Sequence, residues 1–495
     1  MDMKRILFGE WLPDMPDTIG QESLNLDGAL NVYSSTTGYA PFPRASIISN
    51  ATGDGEDINQ LFLAKKDELI LAFGGTNKNI YLYNNLVGRG ASSNNVSKAG
   101  GYSNPQVAWD FTQFGDVILA TNGTDKIQKY AIKNPDKPTE SPAFEDIDQA
   151  PRCNTISIVR DFVFAGYCDD NSQKVQWSDL NNENVWESSD SNQADFQILP
   201  SGGAIKAVTG GEFGLILQEK SITRASYIGT PLVFQMDQIS DNTGCLTGKS
   251  AIQYNGMTYF LSESGFMACD GSTVKNIGAG KVNNYFFDSL DSTQIETMDV
   301  AIDPLKNLIV WNYPTIDRIP TDEERLLIMY NYETDRWTSG STNSQVVAQL
   351  ATQGRELDSL DSDYPTLDTM PVSLDSPLFI GGDFAFCGAI GNKVCAFNLY
   401  NEATYLITSD IEQGMFSVAT LAMPIIENGS ATFQIASRNN LNQNIEWSSD
   451  SVTTLENRAD LRSGGRYHRL RVNPTGAGWT HAIGFDLAVA PQGQR

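Results

Sequence analysis

The stretch SAIQYNGMTYFLSESGFMACDGSTVKNI, residues 250–277, decides how this chain can fold. It holds four short apolar-rich runs separated by turns at Asn255-Gly256, at residues 263–265 and at Asp270-Gly271. Asn-Gly and Asp-Gly suit two-residue hairpins, because both central residues need a positive φ that glycine adopts without a Cβ clash. The stretch therefore predicts an antiparallel meander of four strands, which is the unit of a β-propeller blade.

Comparable units recur along the chain. Propeller blades typically repeat every ~40–50 residues, and equivalent strands here recur at intervals of roughly that length, except for one longer interval before the last unit. The markers of these strands are Leu69, Val117, Phe162, Leu215, Tyr259, Leu308 and Phe384. The predicted fold class is all-β, a β-propeller of about six to seven antiparallel blades plus a small C-terminal β-sandwich-like domain.

Three regions follow from this pattern. Residues 1–50 are predicted to form an extended N-terminal arm and closing strand, because closely spaced prolines exclude a helix there. Residues 51–410 are predicted to form the propeller, with an acidic loop inserted at 352–376. Residues 411–495 alternate apolar and polar side chains at period two, which predicts a separate β-domain.

Two details of the N-terminal arm are expectations of the same kind. Trp11 and Phe42 are expected to pin the arm to a neighbouring surface. Strand exchange between the region near Leu30–Tyr33 and the unit near Phe384 is expected to close the ring of blades.

Charge and composition exclude several classes of protein. The net charge of −26 argues against a basic groove for nucleic acid. No apolar run is long enough for a membrane span, and the first residues do not resemble a signal peptide, so we expect folding in a cytoplasm without membrane insertion. The six cysteines form no C-x-x-C pair, which predicts buried free thiols instead of a zinc site.

Candidate chemistry is sparse. The acidic residues sit mostly in turns, where carboxylates accept local backbone N–H bonds, so we predict no catalytic residues, no cofactor and no enzyme activity. Asp361 and Asp363 could bind a divalent cation, but a solvated acidic loop is the preferred interpretation and no metal site is predicted. Trp177 and Trp186 are interpreted as packing anchors, with a sugar-stacking platform as the alternative.

One basic concentration stands out in this acidic chain, near the C-terminus. On a strand, Arg469 and Arg471 would share a face with Tyr467, whereas Arg466 and His468 would share the other face. Two interpretations stay open, a positive patch that docks an acidic neighbour, or solvated strand ends paired with nearby acids. The predicted subunit or partner contacts are Trp11, Arg458, Arg462, Arg466, Arg469 and Arg471.

Several stretches together resemble the tail-nozzle proteins of short-tailed bacteriophages, which are also called packaged-DNA-stabilisation or tail-hub proteins. The resembling stretches are residues 9–14, 38–43, 175–179 with Trp186, 210–222, 227–231 with Phe234, 259–262, 265–266, 270–271, 277–278, 465–469 and 479–484. They keep one order from residue 9 to the C-terminus.

The resemblance implies a structural virion protein of the tail, assembled in the host cytoplasm as a homohexameric ring below the portal and adaptor. Such a ring extends and closes the DNA channel and permits ejection, with tail fibres or tailspikes as further partners. Carboxylates along the channel would let double-stranded DNA slide without sequence-specific binding. A receptor- or carbohydrate-binding propeller at the tail tip is the alternative hypothesis, and a propeller hydrolase is a third hypothesis.

Overall fold

The chain's regular structure is almost entirely β, as predicted. This computed structural model describes residues 2–16, 23–66, 69–84, 91–102, 105–132, 143–316, 324–351, 366, 384–476 and 478–492. The predicted acidic insertion at 352–376 lies outside the described residues, apart from Thr366.

Seven four-strand runs form the blades of the propeller. Among the described residues, six are separate four-stranded antiparallel sheets, and the run β27–β30 belongs to a larger sheet. Blade 1 contains β7 (Gln60–Lys66), β8 (Leu69–Gly75), β9 (Ile80–Asn84) and β10 (Ser92–Asn95), and blade 2 contains β11 (Asp110–Phe114), β12 (Val117–Thr121), β13 (Gln128–Ala131) and β14 (Glu145–Asp146). Blade 3 contains β15 (Cys153–Val159), β16 (Phe162–Cys168), β17 (Asn171–Trp177) and β18 (Asp195–Ile198). Blade 4 contains β19 (Ile205–Thr209), β20 (Gly214–Gln218), β21 (Ile222–Gly229) and β22 (Val233–Ser240).

The remaining blades complete the ring. Blade 5 contains β23 (Ile252–Tyr254), β24 (Met257–Ser262), β25 (Gly265–Cys269) and β26 (Val274–Asn276). Blade 6 contains β27 (Asp299–Asp303), β28 (Leu308–Pro314), β29 (Arg325–Asn331) and β30 (Arg336–Thr342). Blade 7 contains β31 (Val346–Ala351), β32 (Phe384–Ile390), β33 (Lys393–Leu399) and β6 (Arg44–Ile47). All seven sequence markers lie in the second strand of their blades, which confirms the predicted repeat. Helix α1 (Asn283–Ser289) and two 3₁₀ helices, Gly248–Ser250 and Ser292–Thr297, lie in the connections around blade 5.

Apolar clusters between neighbouring blades close the ring. A cluster of buried side chains lies at each interface between consecutive blades, including the interface between blade 7 and blade 1. Burial of apolar area on both faces is what stabilises such short strands, at roughly 25 cal/mol per Å². Each blade in the ring therefore covers both faces of its sheet.

The opening stretch folds as the predicted meander, with one difference. Asn255 and Gly256 have φ values of 50° and 77° in a two-residue turn between β23 and β24. The second predicted two-residue turn, Asp270-Gly271, is a longer loop, because Cys269 pairs with Val274. The Asp270 carboxylate accepts the N–H groups of Ser272 and Thr273 there, so an acidic side chain replaces the missing strand pairing.

The strand that closes the ring is β6, which pairs antiparallel with β33 of blade 7. The expected position near Leu30–Tyr33 is therefore wrong. Leu30 instead pairs with Ser339 of blade 6 and with Tyr405. The rigid Pro41-Phe42-Pro43 segment separates the two places, and Phe42 is buried between blades 6 and 7.

Strands from the N-terminal segment pair with strands near the C-terminus. They are β1 (Asp2–Leu7), β2 (Glu10–Trp11), β3 (Ser23–Leu30), β4 (Val32–Ser35) and β5 (Gly38–Pro41), which join β34 (Tyr405–Thr408), β35 (Ile411–Glu427), β36 (Ser430–Arg438), β37 (Ser451–Val452), β38 (Ala459–Thr475) and β39 (His481–Pro491). These strands and blade 6 make one 15-stranded sheet. The period-two alternation predicted for residues 411–495 does not give a strand everywhere, since residues 445–448, between β36 and β37, are not in one.

Candidate partner-binding surface

The structure places Trp11 in the interior of its own chain. Its side chain is fully buried, and its ring lies edge-on to that of Tyr285 at a centroid distance of 5.0 Å. A subunit contact at Trp11 is therefore not available in this conformation, because the indole is already covered.

Arg469 is also buried, for an electrostatic reason. Its guanidinium Nη2 lies 3.1 Å from Oδ2 of Asp410, and the side chains are 4% and 3% exposed respectively. Arg438 pairs with the same carboxylate oxygen and donates to the carbonyl of Leu441 at 2.7 Å. Two arginines and one aspartate thus form an internal ion-pair network. Removal of one partner would lower the stability of the fold, because it would leave a buried charge unpaired.

Arg471 and Arg466 are occupied within the chain as well. The Arg471 guanidinium lies over the ring of Tyr405, 4.0 Å from its centroid. Arg466 Nη2 lies 3.5 Å from Oε1 of Glu412, with both side chains about half exposed. The shared face predicted for Arg469 and Arg471 is present, but the two guanidinium groups contact Asp410 and Tyr405 of the same chain.

His468 lies on the opposite face, inside the domain. Its two ring nitrogens are hydrogen-bonded to the hydroxyls of Ser417 and Ser437, at 2.8 and 2.7 Å. Burial lowers the pKa of His468 to about 4, so the ring is neutral near pH 7. His468 adds no positive charge to the basic strand.

Arg458 and Arg462 remain at the surface. Arg458 has long ion-pair contacts of 3.6 Å to Glu456 and 3.8 Å to Asp460, which fits the interpretation of a solvated strand end. Arg462 is exposed and has no ion pair among the described residues. Arg462 is therefore the cation of the predicted set that is most open to a partner.

An apolar sheet face, which the sequence reasoning missed, adjoins these two arginines. We call it the outer face; its apolar members are Met3, Leu7, Val418, Leu421, Met423 and Ile425. Met3 and Leu7 on the edge strand β1 are 51% and 56% exposed, and the others are partly exposed. Period-two alternation in residues 421–425 indicates a strand with one apolar face, but only the strand pairing with β1 shows that this face is exposed.

Charged side chains lie both on the outer face and at its edge. Arg5 makes two hydrogen bonds to the carboxylate of Asp486, at 2.9 and 3.1 Å, on the face itself. Asp460 pairs in register with Leu421, so the exposed end of β38 with Arg458 and Arg462 lies beside the apolar residues. The outer face therefore has apolar side chains on both sides of a central ion pair, with two further arginines at one edge, and such a mixture of apolar and charged groups occurs in protein interfaces.

The side chain of Lys249 crosses the axis of the propeller. Lys249 Nζ, in the 3₁₀ helix before blade 5, donates to the carbonyl of Trp109, just before blade 2, at 2.6 Å. Asp299 Oδ2 of blade 6 accepts the N–H of Val347 at 3.0 Å, and burial raises the pKa of Asp299 to about 6 against the opposing effects of Lys249 and Arg325. The Lys249–Trp109 contact joins blades that are not neighbours, so this axis is not a wide channel.

Trp177 and Trp186 are core residues, as the preferred interpretation had it. They are 2% and 1% exposed, and their indole N–H groups donate to the carbonyls of Gln193 and Glu183 at 2.9 and 2.7 Å. Trp177 stacks on Phe164 at a centroid distance of 5.5 Å. Neither ring offers a face for sugar stacking.

Two kinds of feature are absent from the described residues. Within those ranges, no three His, Cys, Asp or Glu side chains come together in a group that could hold a metal ion. No helix in the same residues is long and apolar enough to cross a membrane. All six cysteines are free and buried.

No protein-family model matches the sequence, and no curated protein sequence matches it. Several solved structures are similar in fold. The extracellular domain of a hybrid two-component system from B. thetaiotaomicron is 11% identical, with a TM-score of 0.41, over 85% of this chain and 48% of that one. U3-55K is 9% identical, with a TM-score of 0.40, over 72% and 98%. The WD40 domain of Pan2 from Neurospora crassa is 9% identical, with a TM-score of 0.40, over 73% and 97%.

The chain spans about half the length of the bacterial extracellular domains that it matches. Similarity at these values carries no argument about function. By its own strand pairing, the chain is a β-propeller with an additional β-sheet domain built from its N-terminal and C-terminal segments.

Proposed function

We propose that this chain is a structural protein of a phage virion, a tail nozzle or hub that assembles with copies of itself into a ring below the portal and adaptor. The ordered sequence resemblance from residue 9 to the C-terminus supports this assignment. In the proposed role the ring extends and closes the DNA channel and permits ejection, and the chain is not an enzyme.

The outer face is the observation that carries the proposal. A sheet face with exposed Met3 and Leu7 favours burial against another surface, because apolar area gains free energy when it leaves water. The partner that fits is a second copy of the chain. Each copy has a net charge of −26, so its acidic surface complements Arg462 at the edge of the outer face of the next copy.

In the proposed assembly, DNA does not run along the propeller axis. Lys249 and Trp109 meet inside the propeller, so a duplex cannot pass through the ring of blades. In the proposed assembly the channel lies between copies, around an axis outside each propeller. Acidic side chains that line such a channel would repel phosphates and let DNA slide.

The carbohydrate-binding alternative has less support. It needs exposed aromatic rings in a pocket, whereas Trp177 and Trp186 are buried. Binding of the purified chain to a glycan array would favour that alternative over the structural role.

The proposed assembly is tested by native mass spectrometry of the purified 54.2 kDa chain, alone and with the portal and adaptor proteins. We expect the mass of a six-copy ring for the wild type. Arg462→Glu reverses one charge beside the outer face and is expected to weaken assembly at least tenfold. Lys220→Glu makes the same charge change at an exposed turn of blade 4 and is the matched control. A single-chain mass under all conditions, or equal behaviour of the two variants, would contradict the proposal.

A further inference from the structure

Two cysteines face each other across the first hairpin of blade 3. Cys153 of β15 and Cys168 of β16 are direct partners in the antiparallel register. Both side chains belong to the apolar cluster between blades 2 and 3, so they project from the same face of the sheet.

The hydrogen bonding of the neighbouring pair defines the geometry of these cysteines. The N–H of Asp169 donates to the carbonyl of Arg152 at 2.9 Å, and the N–H of Arg152 donates to Oδ1 of Asp169 at 3.2 Å, so residues 152 and 169 occupy a hydrogen-bonded position that is closed on one side by a side chain. Because such pairs alternate along antiparallel strands, Cys153 and Cys168 occupy a non-hydrogen-bonded position, where Cα atoms are typically ~4.5 Å apart. Disulfides accept Cα separations of about 4.4–6.8 Å, so this position can hold one without moving the strands apart.

We propose that Cys153 and Cys168 are a latent disulfide, reduced in a cytoplasm and closed when the folded protein meets a small-molecule disulfide oxidant. The inference goes beyond the proposed function and does not depend on it. The bond would tie the open end of the β15–β16 hairpin, opposite its turn at residues 160–161.

The exchange with oxidised glutathione balances as follows. The Cys153 thiolate attacks one glutathione sulfur and releases a glutathione thiolate. The Cys168 thiolate then attacks the Cys153 sulfur of this mixed disulfide and releases the second glutathione. Two protein thiols are oxidised, one glutathione disulfide is reduced to two thiols, and the two protons pass to the released thiolates.

Burial controls the rate of this reaction. Both thiols are at most 1% exposed, and burial raises the pKa of Cys153 to about 12 and that of Cys168 well above its usual value. Thiolates form when the strand ends open, beside the exposed Asp169 and Asp170. We therefore expect closure over hours and not seconds.

A second thiol pair provides an internal control. Cys387 and Cys395 lie on the adjacent strands β32 and β33, but Cys387 pairs with Ala396 and Cys395 pairs with Gly388. They belong to different apolar clusters, on opposite faces of blade 7. These two sulfurs are not placed to form a bond.

Peptide mapping of the folded wild type tests the proposal without any variant. The chain is incubated with oxidised glutathione, denatured, alkylated and digested without reductant. We expect a peptide pair linked through Cys153 and Cys168 that dithiothreitol separates, while the other four cysteines are alkylated. Alkylation at all six cysteines after complete incubation, or linkage of a different pair, would overturn the proposal. Cys168→Ala should abolish the linked peptide pair, and Cys395→Ala should leave it unchanged.

Discussion

The propeller blades and the C-terminal sheet cover their faces differently. Each blade packs both faces against neighbouring blades, with an apolar cluster at every interface of the ring. The sheet made by the N-terminal and C-terminal segments packs its inner face on a core that includes Phe433 and Phe485, whereas the apolar side chains of its outer face are partly or largely exposed. The difference indicates where another molecule would associate, because the exposed apolar side chains of the outer face can still be buried by a partner.

The largest predicted effect is a difference in assembly between substitutions on the exposed edge strands of the two regions. Leu7 on β1 and Ile198 on β18 are edge-strand side chains that are 56% and 47% exposed. We expect Leu7→Asp to abolish the ring in native mass spectrometry, because a carboxylate would be buried in the interface. Ile198→Asp, on blade 3, should leave assembly unchanged. Loss of assembly with both variants, or with neither, would show that the outer face has no special role.

Asn31 joins the two regions, so its loss should affect both. The side chain is fully buried; its Nδ2 donates to the carbonyl of Ala403 at 2.9 Å, and its Oδ1 accepts from the N–H of Ser341 at 2.8 Å. We expect Asn31→Ala to reduce the free energy of unfolding by about 2–4 kcal/mol, because buried backbone groups lose their partners.

The control for Asn31→Ala is Asn255→Ala. Both residues have a positive φ, 56° and 50°, but Asn255 is exposed in a turn. The difference between the two variants in chemical denaturation isolates the hydrogen bonds from the backbone strain. Equal losses would mean that Asn31 only provides a left-handed conformation.

A smaller effect is expected at the axis of the propeller. Lys249→Met removes the hydrogen bond to the Trp109 carbonyl and a positive charge near Asp299. We expect a loss of about 1–2 kcal/mol in the free energy of unfolding and a further rise in the pKa of Asp299, with no change in assembly. A ring that fails to form with Lys249→Met would show that the axis, and not only the outer face, takes part in association.

The smallest effects concern the dependence of stability on pH. Burial raises the pKa of Asp299 to about 6, so the folded propeller binds its proton more tightly than the unfolded chain, and this stabilisation is lost as pH rises from about 4 to 6. Burial lowers the pKa of His468 to about 4, so the C-terminal domain loses stability as pH falls from 6.5 toward 4. The two slopes oppose each other, and each is at most about 1.4 kcal/mol per pH unit.

Two variants separate these slopes in calorimetric unfolding between pH 4 and 6. Relative to the wild type, Asp299→Asn should make stability rise more steeply with pH. His468→Gln should make stability fall with rising pH. Changes of the same sign for both variants would contradict the assignment of the two buried groups.

Local chemistry explains why the propeller could be predicted from the sequence. Turn residues such as Asn255-Gly256 act within a few positions of the strands that they join, so the sequence alone predicts the seven second strands. The outer face depends on pairing between β1 and β39, whose partners such as Met3 and Ala488 lie nearly the whole chain apart. Turn patterns carry no information about such pairs.

The predicted partner residues show the same limit. Period-two alternation correctly placed Arg469 and Arg471 on one face of a strand. Alternation does not say what covers a face, and here Asp410 and Tyr405 occupy the two arginines. The prolines near Trp11 exclude a helix and predict an extended arm on a surface, whereas β2 inserts Trp11 into the core beside β3.

A cryo-electron microscopy map of the virion that carries this chain would test the central claim most directly. We expect six copies in a ring below the portal and adaptor, with Leu7 and Arg462 buried between neighbouring copies and with DNA passing outside the propeller axes. A particle that lacks the chain, or a ring in which the outer face remains in solvent, would contradict the account.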